Sequence, residues 1–487
     1  MNRPLSLAIF VLAAFLFFFR IGHHSFWGDE LQTAGLAAQL SQSELWNSTD
    51  PTSMDEIFAW GFLVPYYSII KIWVSVFGSS ESGFRSLSAT SALVGLAMIL
   101  GLGERVWNLS RRTTLIAAAL YALSPMMLWY AQEARYYALL QPITLTLCTF
   151  YLLYGRTQRR RWLVAWTITS MFALMTHPFM IFIIAALSLY GLWRCRKGLF
   201  GSTRAFMIGH GVTAAGFVLM LRPLLASNAR ININEPYSLR TDELMPWKIL
   251  SNFLCGVWEH PSGLLALLLV ITTTTFLVLH VRALTIHHSE PASKEAFLWV
   301  AATLGACFLM IFVSMFRPIM VEGKKYEMIF FAPFCVCLAT ALSAASWRLL
   351  LPLFLGIMSL NTLMVDWGYY IDPQKQNWRL AGKLIHENAQ PGDVWLHHSP
   401  RRSFAAEYYG GGTSRVTRDV VWKTADIQRP IPDTLLSVKR IWIVKTGSIS
   451  DVYAERLKEL GFQLVVDKSL PAGSAFMTRL WLLERPR

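Results

Sequence analysis

Charge is scarce in this chain. Charged side chains make up 15% of its 487 residues, and acidic ones are the rarer kind, 30 against 44 Lys and Arg, whereas an ordinary soluble domain carries roughly 25% charge. That shortage, with 54% hydrophobic residues and a mean hydropathy of +0.40, excludes a typical water-soluble domain. Cysteine is sparse as well: of six, Cys148, Cys307, Cys335 and Cys337 lie inside apolar runs, which excludes a disulfide framework and a zinc knuckle. The sequence also lacks GxxxxGK[ST], a GxGxxG after a strand, and HExxH. These absences leave no signal for phosphate-loop hydrolysis, dinucleotide-dependent redox chemistry or zincin proteolysis. Nor is there a series of short alternating segments, the pattern of a transmembrane barrel.

What is present is a succession of long apolar runs, among them PLSLAIFVLAAFLFFF, FMIFIIAALSLYGLW and GLLALLLVITTTTFLVLHV. They approach or reach the roughly 17–25 residues that cross a bilayer as a helix. The first is followed by Arg20, Ile21, Gly22 and His23 without a small-residue cleavage motif, and is read as a retained span rather than a signal peptide. The net charge of +14 gathers in short clusters between runs, at Arg111, Arg156 and Arg194. This is the bias expected of cytoplasmic loops, so no nucleic-acid partner is expected. Orientation follows, with about eleven spans. The run 60–78 is read as a helix lying in the interface, because Lys71 sits in its middle and Pro65 near its start.

After Asp366 the composition becomes polar and turn-rich. NWRLAGKLIHENA has helical spacing and is stopped by PGD, and the runs DVWLHH, KRIWIVK, FQLVVD and TRLWLLE read as strands, with ISDVYAERLKELG a helix between two of them. The chain is therefore expected to be a polytopic α-helical membrane protein over residues 1–366, with an outer first loop at 22–84. A small extracytoplasmic α/β domain follows over 367–487.

On this topology the unusual polar residues share the outer face: Asp29 and Glu30, Glu133 and Arg135, His177, the 222–262 loop with Glu235 and His260, and Arg317 with Lys324, Lys325 and Tyr326. Ionisable groups near membrane depth are costly and point to function. Asp29 and Glu30 open a helix, where carboxylates cap favourably, and a shielded carboxylate there could also act as a base on a hydroxyl. Sequence leaves both open. Glu133 and Arg135, two apart, would not face one another on a helix and could address two groups of one ligand, with Tyr136 and Tyr137 on the side of the glutamate. The alternative for them is an interfacial belt. His177 could be a turn residue, or a metal ligand if carboxylates such as Asp29, Glu30 or Glu133 join it. Arg317, Lys324 and Lys325 could reach a phosphate or merely snorkel. A transporter or flippase of a lipid-linked saccharide would also place charges in a membrane cavity, but no internal repeat is visible.

The order SFWGDE, FGSSESGFRSLSA, SPMMLWYAQEARYYALL, LMTHPF and RPIMVEGKKYEMIFFAPF resembles the GT-C membrane glycosyltransferases, in particular the protein O-mannosyltransferases and the aminoarabinose transferases of lipid A. The resemblance implies an inverting transfer of a sugar from a polyprenyl-phosphate donor to a hydroxyl of a lipid, glycan or protein acceptor, outside a bacterial cell membrane. It implies Asp29 as catalytic aspartate and Glu30 as its companion. Glu133, Arg135, Tyr136, Tyr137, Arg317, Lys324, Lys325 and Tyr326 are the implied substrate contacts. Glu133 and His177 would be the ligands if a divalent metal ion takes part. Arg85 matches a recurrent family arginine. Lys324 and Lys325 stand where the family has Glu-Arg before Tyr326, and VPYY, from Val64, where it has PPLYY.

Overall fold

A computed structural model describes residues 3–39, 41, 64–196, 203–231, 246–256, 263–286, 291–316, 323–344, 350–397, 400–410, 417–421, 433–446, 449–473 and 477–486. Arg317, Glu235 and His260 lie outside them, as does the side chain of Lys324.

Helices dominate up to Ile371. The Glu81–Leu102 helix illustrates how the sequence sets one in place. Ser80 accepts from the amide of Gly83 at 3.1 Å and Glu81 occupies the first turn, which satisfies a free amide and suits the positive end of the helix dipole. Gly78 turns at φ +85°, and a Cβ on Gly83 would lie 2.0 Å from the Gly78 carbonyl oxygen, so glycine is required at both corners of FGSSESG. Twenty-two residues rise about 33 Å, enough to cross the hydrocarbon. Among the described residues four helices are long and apolar enough to span, and a fifth if Arg111–Ala122 and Pro125–Ala131, bent by 60°, count as one. The bend falls where Ser124 caps a new helix with Pro125 at its start. Of the run 60–78, read as an interfacial helix, the described part forms the helix Val64–Phe77, and Lys71 caps a neighbour by donating to the Ala37 carbonyl at 2.7 Å.

Large apolar side chains point outward along these helices: Val11, Ile168, Val218, Leu219, Phe308, Met315 and Leu363 are all more than half exposed. Such a surface fits hydrocarbon rather than water, and the chain is an integral membrane protein.

The Leu140–Thr157 helix fixes two ends. It starts beside the EARYY segment and, after 18 residues or about 27 Å, delivers Arg156 to Glu295 at 2.5 and 2.6 Å. The polar cluster described below therefore lies at the opposite end from this basic cluster.

Residues 393–484 carry a five-stranded sheet in the order β2-β1-β3-β5-β4: β1 Asp393–His397, β2 Thr417–Val421, β3 Arg440–Lys445, β4 Gln463–Leu470 and β5 Thr478–Glu484. β1 is parallel to β2 and β3, whereas β5 is antiparallel to β3 and β4. Alternation sorts its two faces. Val394, Leu396, Ile441, Ile443, Trp481 and Leu483 form a small core with Tyr453 and Leu457. Trp395, Trp442, Leu480 and Leu482 point the other way and join Trp378, Ala381 and Ile385 in the core shared with the membrane helices.

Candidate functional site

Segments distant in the sequence converge on Glu30. Its carboxylate is fully buried and accepts from Arg85 Nε at 2.8 Å and Nη2 at 2.8 Å, from the amide of Ala134 at 2.8 Å and from that of Trp27 at 3.3 Å, with Lys375 Nζ at 3.4 Å. Burial alone would raise this carboxyl. The Arg85 and Lys375 charges, with the hydrogen bonds, overcome that and hold it at about 2. Arg85 donates its remaining N–H groups to the carbonyls of Ile21 at 3.0 Å, His24 at 2.7 Å and Ser25 at 3.1 Å. All five donors of the guanidinium are used. Glu30, expected beside Asp29 as a catalytic carboxylate, thus has both oxygens committed to the protein.

Asp29, one residue earlier, lies in the first turn of the Gly28–Gln39 helix and turns the other way. Its side chain is 25% exposed and its Oδ2 is 3.3 Å from Lys325 Nζ, whose own side chain is 16% exposed. The Asp29 carbonyl accepts from Arg135 Nη1 at 3.2 Å, and the same nitrogen donates to Tyr67 OH at 3.2 Å. Arg135 lies over the Tyr136 ring at 5.0 Å, and its buried Nε has no hydrogen-bond partner among the described residues.

The EARYY stretch is a turn, not a helix: residues 132–139 are non-helical between Pro125–Ala131 and Leu140–Thr157. Ser88 pins it by donating to the carbonyls of Glu133 at 2.6 Å and Arg135 at 3.1 Å. Helical spacing therefore does not decide which side chains meet here. Glu133 is buried, accepts from Trp129 Nε1 at 2.8 Å through Oε2, and leaves Oε1 without a partner among the described residues. Burial pushes its carboxyl above the usual range. Tyr136 and Tyr137 face each other, hydroxyl to hydroxyl at 3.3 Å.

His177 belongs to the same wall. Its ring lies 4.9 Å from Tyr136, 5.2 Å from Phe179 and 5.5 Å from Tyr326, and its Nδ1 accepts from the Phe179 amide at 3.2 Å. Burial, then the Arg135 and Lys325 charges, lower it to about 3, so it is neutral. Among the described residues no three His, Cys, Asp or Glu side chains are grouped as metal ligands. His177 Nδ1 already accepts a backbone bond, and no third ligand is grouped with Glu133 and His177 among the described residues, so no step is routed through a metal.

Sequence reasoning missed Lys375. It follows the Leu350–Ile371 helix, is fully buried, donates to the Gln132 carbonyl at 3.0 Å and lies over the Trp129 ring at 5.3 Å. In DPQKQNWR it reads as an ordinary surface lysine, and no local pattern marks it.

No family model matches the sequence, and no curated protein does. The fold has solved counterparts. ArnT from Cupriavidus metallidurans bound to undecaprenyl phosphate matches with a TM-score of 0.54 at 13% identity, over 99% of this chain and 98% of that one. Arabinofuranosyltransferase AftD from Mycobacteria matches with a TM-score of 0.50 at 12% identity, over 100% of this chain and 42% of that one. Over its described residues this chain shares the fold of these solved proteins, ArnT above all.

Proposed function

We propose that the chain is an inverting glycosyltransferase, moving a sugar from a polyprenyl-phosphate donor to a hydroxyl of a lipid, glycan or protein acceptor at the outer face of a bacterial cell membrane. The observation that carries this reading is the pairing of Asp29 with Lys325 at 3.3 Å, over the buried Arg135. It joins one accessible carboxylate to cations drawn from two other outer segments. A lipid-phosphate leaving group needs those cations, and a hydroxyl nucleophile needs that base.

In one displacement the acceptor oxygen bonds to the anomeric carbon and its proton passes to Asp29. The bond from that carbon to the phosphate oxygen breaks on the opposite face, so configuration inverts. The departing phosphate keeps the bonding pair, and Lys325 and Arg135 balance its charge; no protonating acid is required of the enzyme. Tyr136, Tyr137 and Tyr326 offer the sugar ring faces and hydroxyls. Glu30 positions Asp29 rather than reacting. An apolar cavity of about 850 Å³, walled by Phe253, Leu277, Phe330 and Phe334, suits the isoprenoid chain, and ArnT of this fold was captured with undecaprenyl phosphate. About eleven spans, with the basic clusters cytoplasmic, put the site and the sheet-bearing region outside.

The experiment is transfer in membranes given radiolabelled polyprenyl-phosphate mannose or aminoarabinose on the outer leaflet, with products separated by size. Covalent label on glycan, lipid or protein supports transfer, whereas label that only changes leaflet supports a flippase. Within this assay Arg135→Ala is expected to weaken donor binding by about tenfold or more, the loss typical of a charge-assisted contact. Unchanged donor affinity would remove Arg135 from the phosphate. Exhaustive chelation is expected to leave wild-type transfer intact, and its loss, restored by a divalent cation, would bring Glu133 back as a ligand.

A further inference from the structure

Lys375 and Gln376 reach back from beyond the last membrane helix into the two segments that carry the candidate chemistry. Lys375 bonds Glu30, which adjoins Asp29, and the carbonyl of Gln132, which adjoins Glu133. It also covers Trp129, whose Nε1 donates to Glu133. Gln376 Oε1 accepts from the Gly28 amide at 3.0 Å and is fixed by Trp378 Nε1 at 2.9 Å. It thereby satisfies an N–H in the first turn of the helix bearing Asp29. The Gln376 carbonyl accepts from Ser25 Oγ. A wholly buried ammonium is costly to take out of water. It is tolerated here because Glu30 and a carbonyl surround it.

We propose that Lys375 and Gln376 form a clasp, a pair of positioning residues that hold the Asp29 and Glu133 segments in register with each other and make the region after Ile371 an obligatory part of the site. The proposal rests on the transferase reading for what the register is used for, but not for the clasp itself. Gln376 reaches the Asp29 helix at the Gly28 amide and Lys375 reaches it at Glu30, so the clasp acts through the backbone and through Glu30. The flanking contacts agree. Tyr409 OH accepts from the Phe26 amide at 2.7 Å and donates to Glu81 at 2.9 Å, and Arg379 donates to Glu81 at 2.6 Å and to the carbonyls of His23 and Gly22 at 3.0 Å each. The first outer loop is thus gripped along its length by the region after the last span.

The test uses full-length protein in nanodiscs, as wild type, Lys375→Met and Gln376→Ala, read by hydrogen–deuterium exchange and by transfer kinetics. In Lys375→Met, exchange is expected to rise over residues 28–34 and 132–137 while the β3 and β5 amides stay protected. The kcat is expected to fall at least tenfold with donor KM changed less than threefold. Gln376→Ala is expected to give the same pattern at lower amplitude. If Lys375→Met does not fold, Gln376→Ala decides alone. Unchanged exchange in both segments in the folded variants overturns the clasp whatever transfer does, as does a loss that appears wholly in KM. If wild type transfers no sugar while exchange rises as stated, the clasp stands and the transferase reading falls.

Discussion

Asp29→Asn is expected to reduce sugar transfer by about 10²- to 10⁴-fold, the usual contribution of a positioned general base, while expression and thermal stability stay near wild type. The two halves of that expectation come from the same geometry. Asp29 is partly exposed, and its ion pair with Lys325 spans 3.3 Å at the rim of the cluster, where such a pair is worth about 0–1 kcal/mol. Asparagine keeps the shape and much of the favourable interaction with the helix start. What it removes is the capacity to accept a proton. A hydroxyl attacking an anomeric carbon that already has oxocarbenium character becomes acidic as its bond forms, so a weak base in position suffices. The check is turnover of labelled donor in membranes with matched protein levels. Wild-type turnover in Asp29→Asn would place the base elsewhere.

Much of the frame was legible in the sequence because its signals are local. Apolar runs marked helices, short strand-like runs between turns marked β1, β3, β4 and β5, and the GT-C resemblance rested on short segments in a fixed order. β2, Thr417–Val421, was missed because TRDVV is short and half polar. Within the site, the pairing of adjacent carboxylates was not legible. Asp29 and Glu30 look equivalent in GDE, and only the position of Arg85, 55 residues away along the chain, turns one inward and leaves the other at the rim. EARYY was read as a turn between two spans, and it is one; helical spacing was the wrong guide to which of its side chains meet, because Ser88 holds its carbonyls in that turn. Lys375 could not be found by any periodicity, since its partners come from segments more than 200 residues away.

That inward partner sets the second large effect. Glu30→Ala is expected to cost about 3–5 kcal/mol, the range for breaking a buried ion pair, and to appear as a lower temperature of heat inactivation and as aggregation on extraction, since a chain of this size unfolds irreversibly. The reason is what would remain. Arg85 and Lys375, both with wholly buried side chains, would face each other without the anion between them, and the Ala134 amide would lose its acceptor. Acid provides an independent check whose sign is fixed by the carboxyl being held at about 2 instead of its ordinary 4.5. A depressed carboxyl stabilises the fold fully above 4.5, and that contribution is lost progressively as pH falls toward 2. Wild type should therefore lose heat resistance through this window. Glu30→Gln, already neutral, should start lower at neutral pH and show a shallower decline. If Glu30→Ala were as heat-resistant as wild type, the buried network would not be what sets Asp29 in place, and the clasp from Lys375 would lose the anion it closes upon.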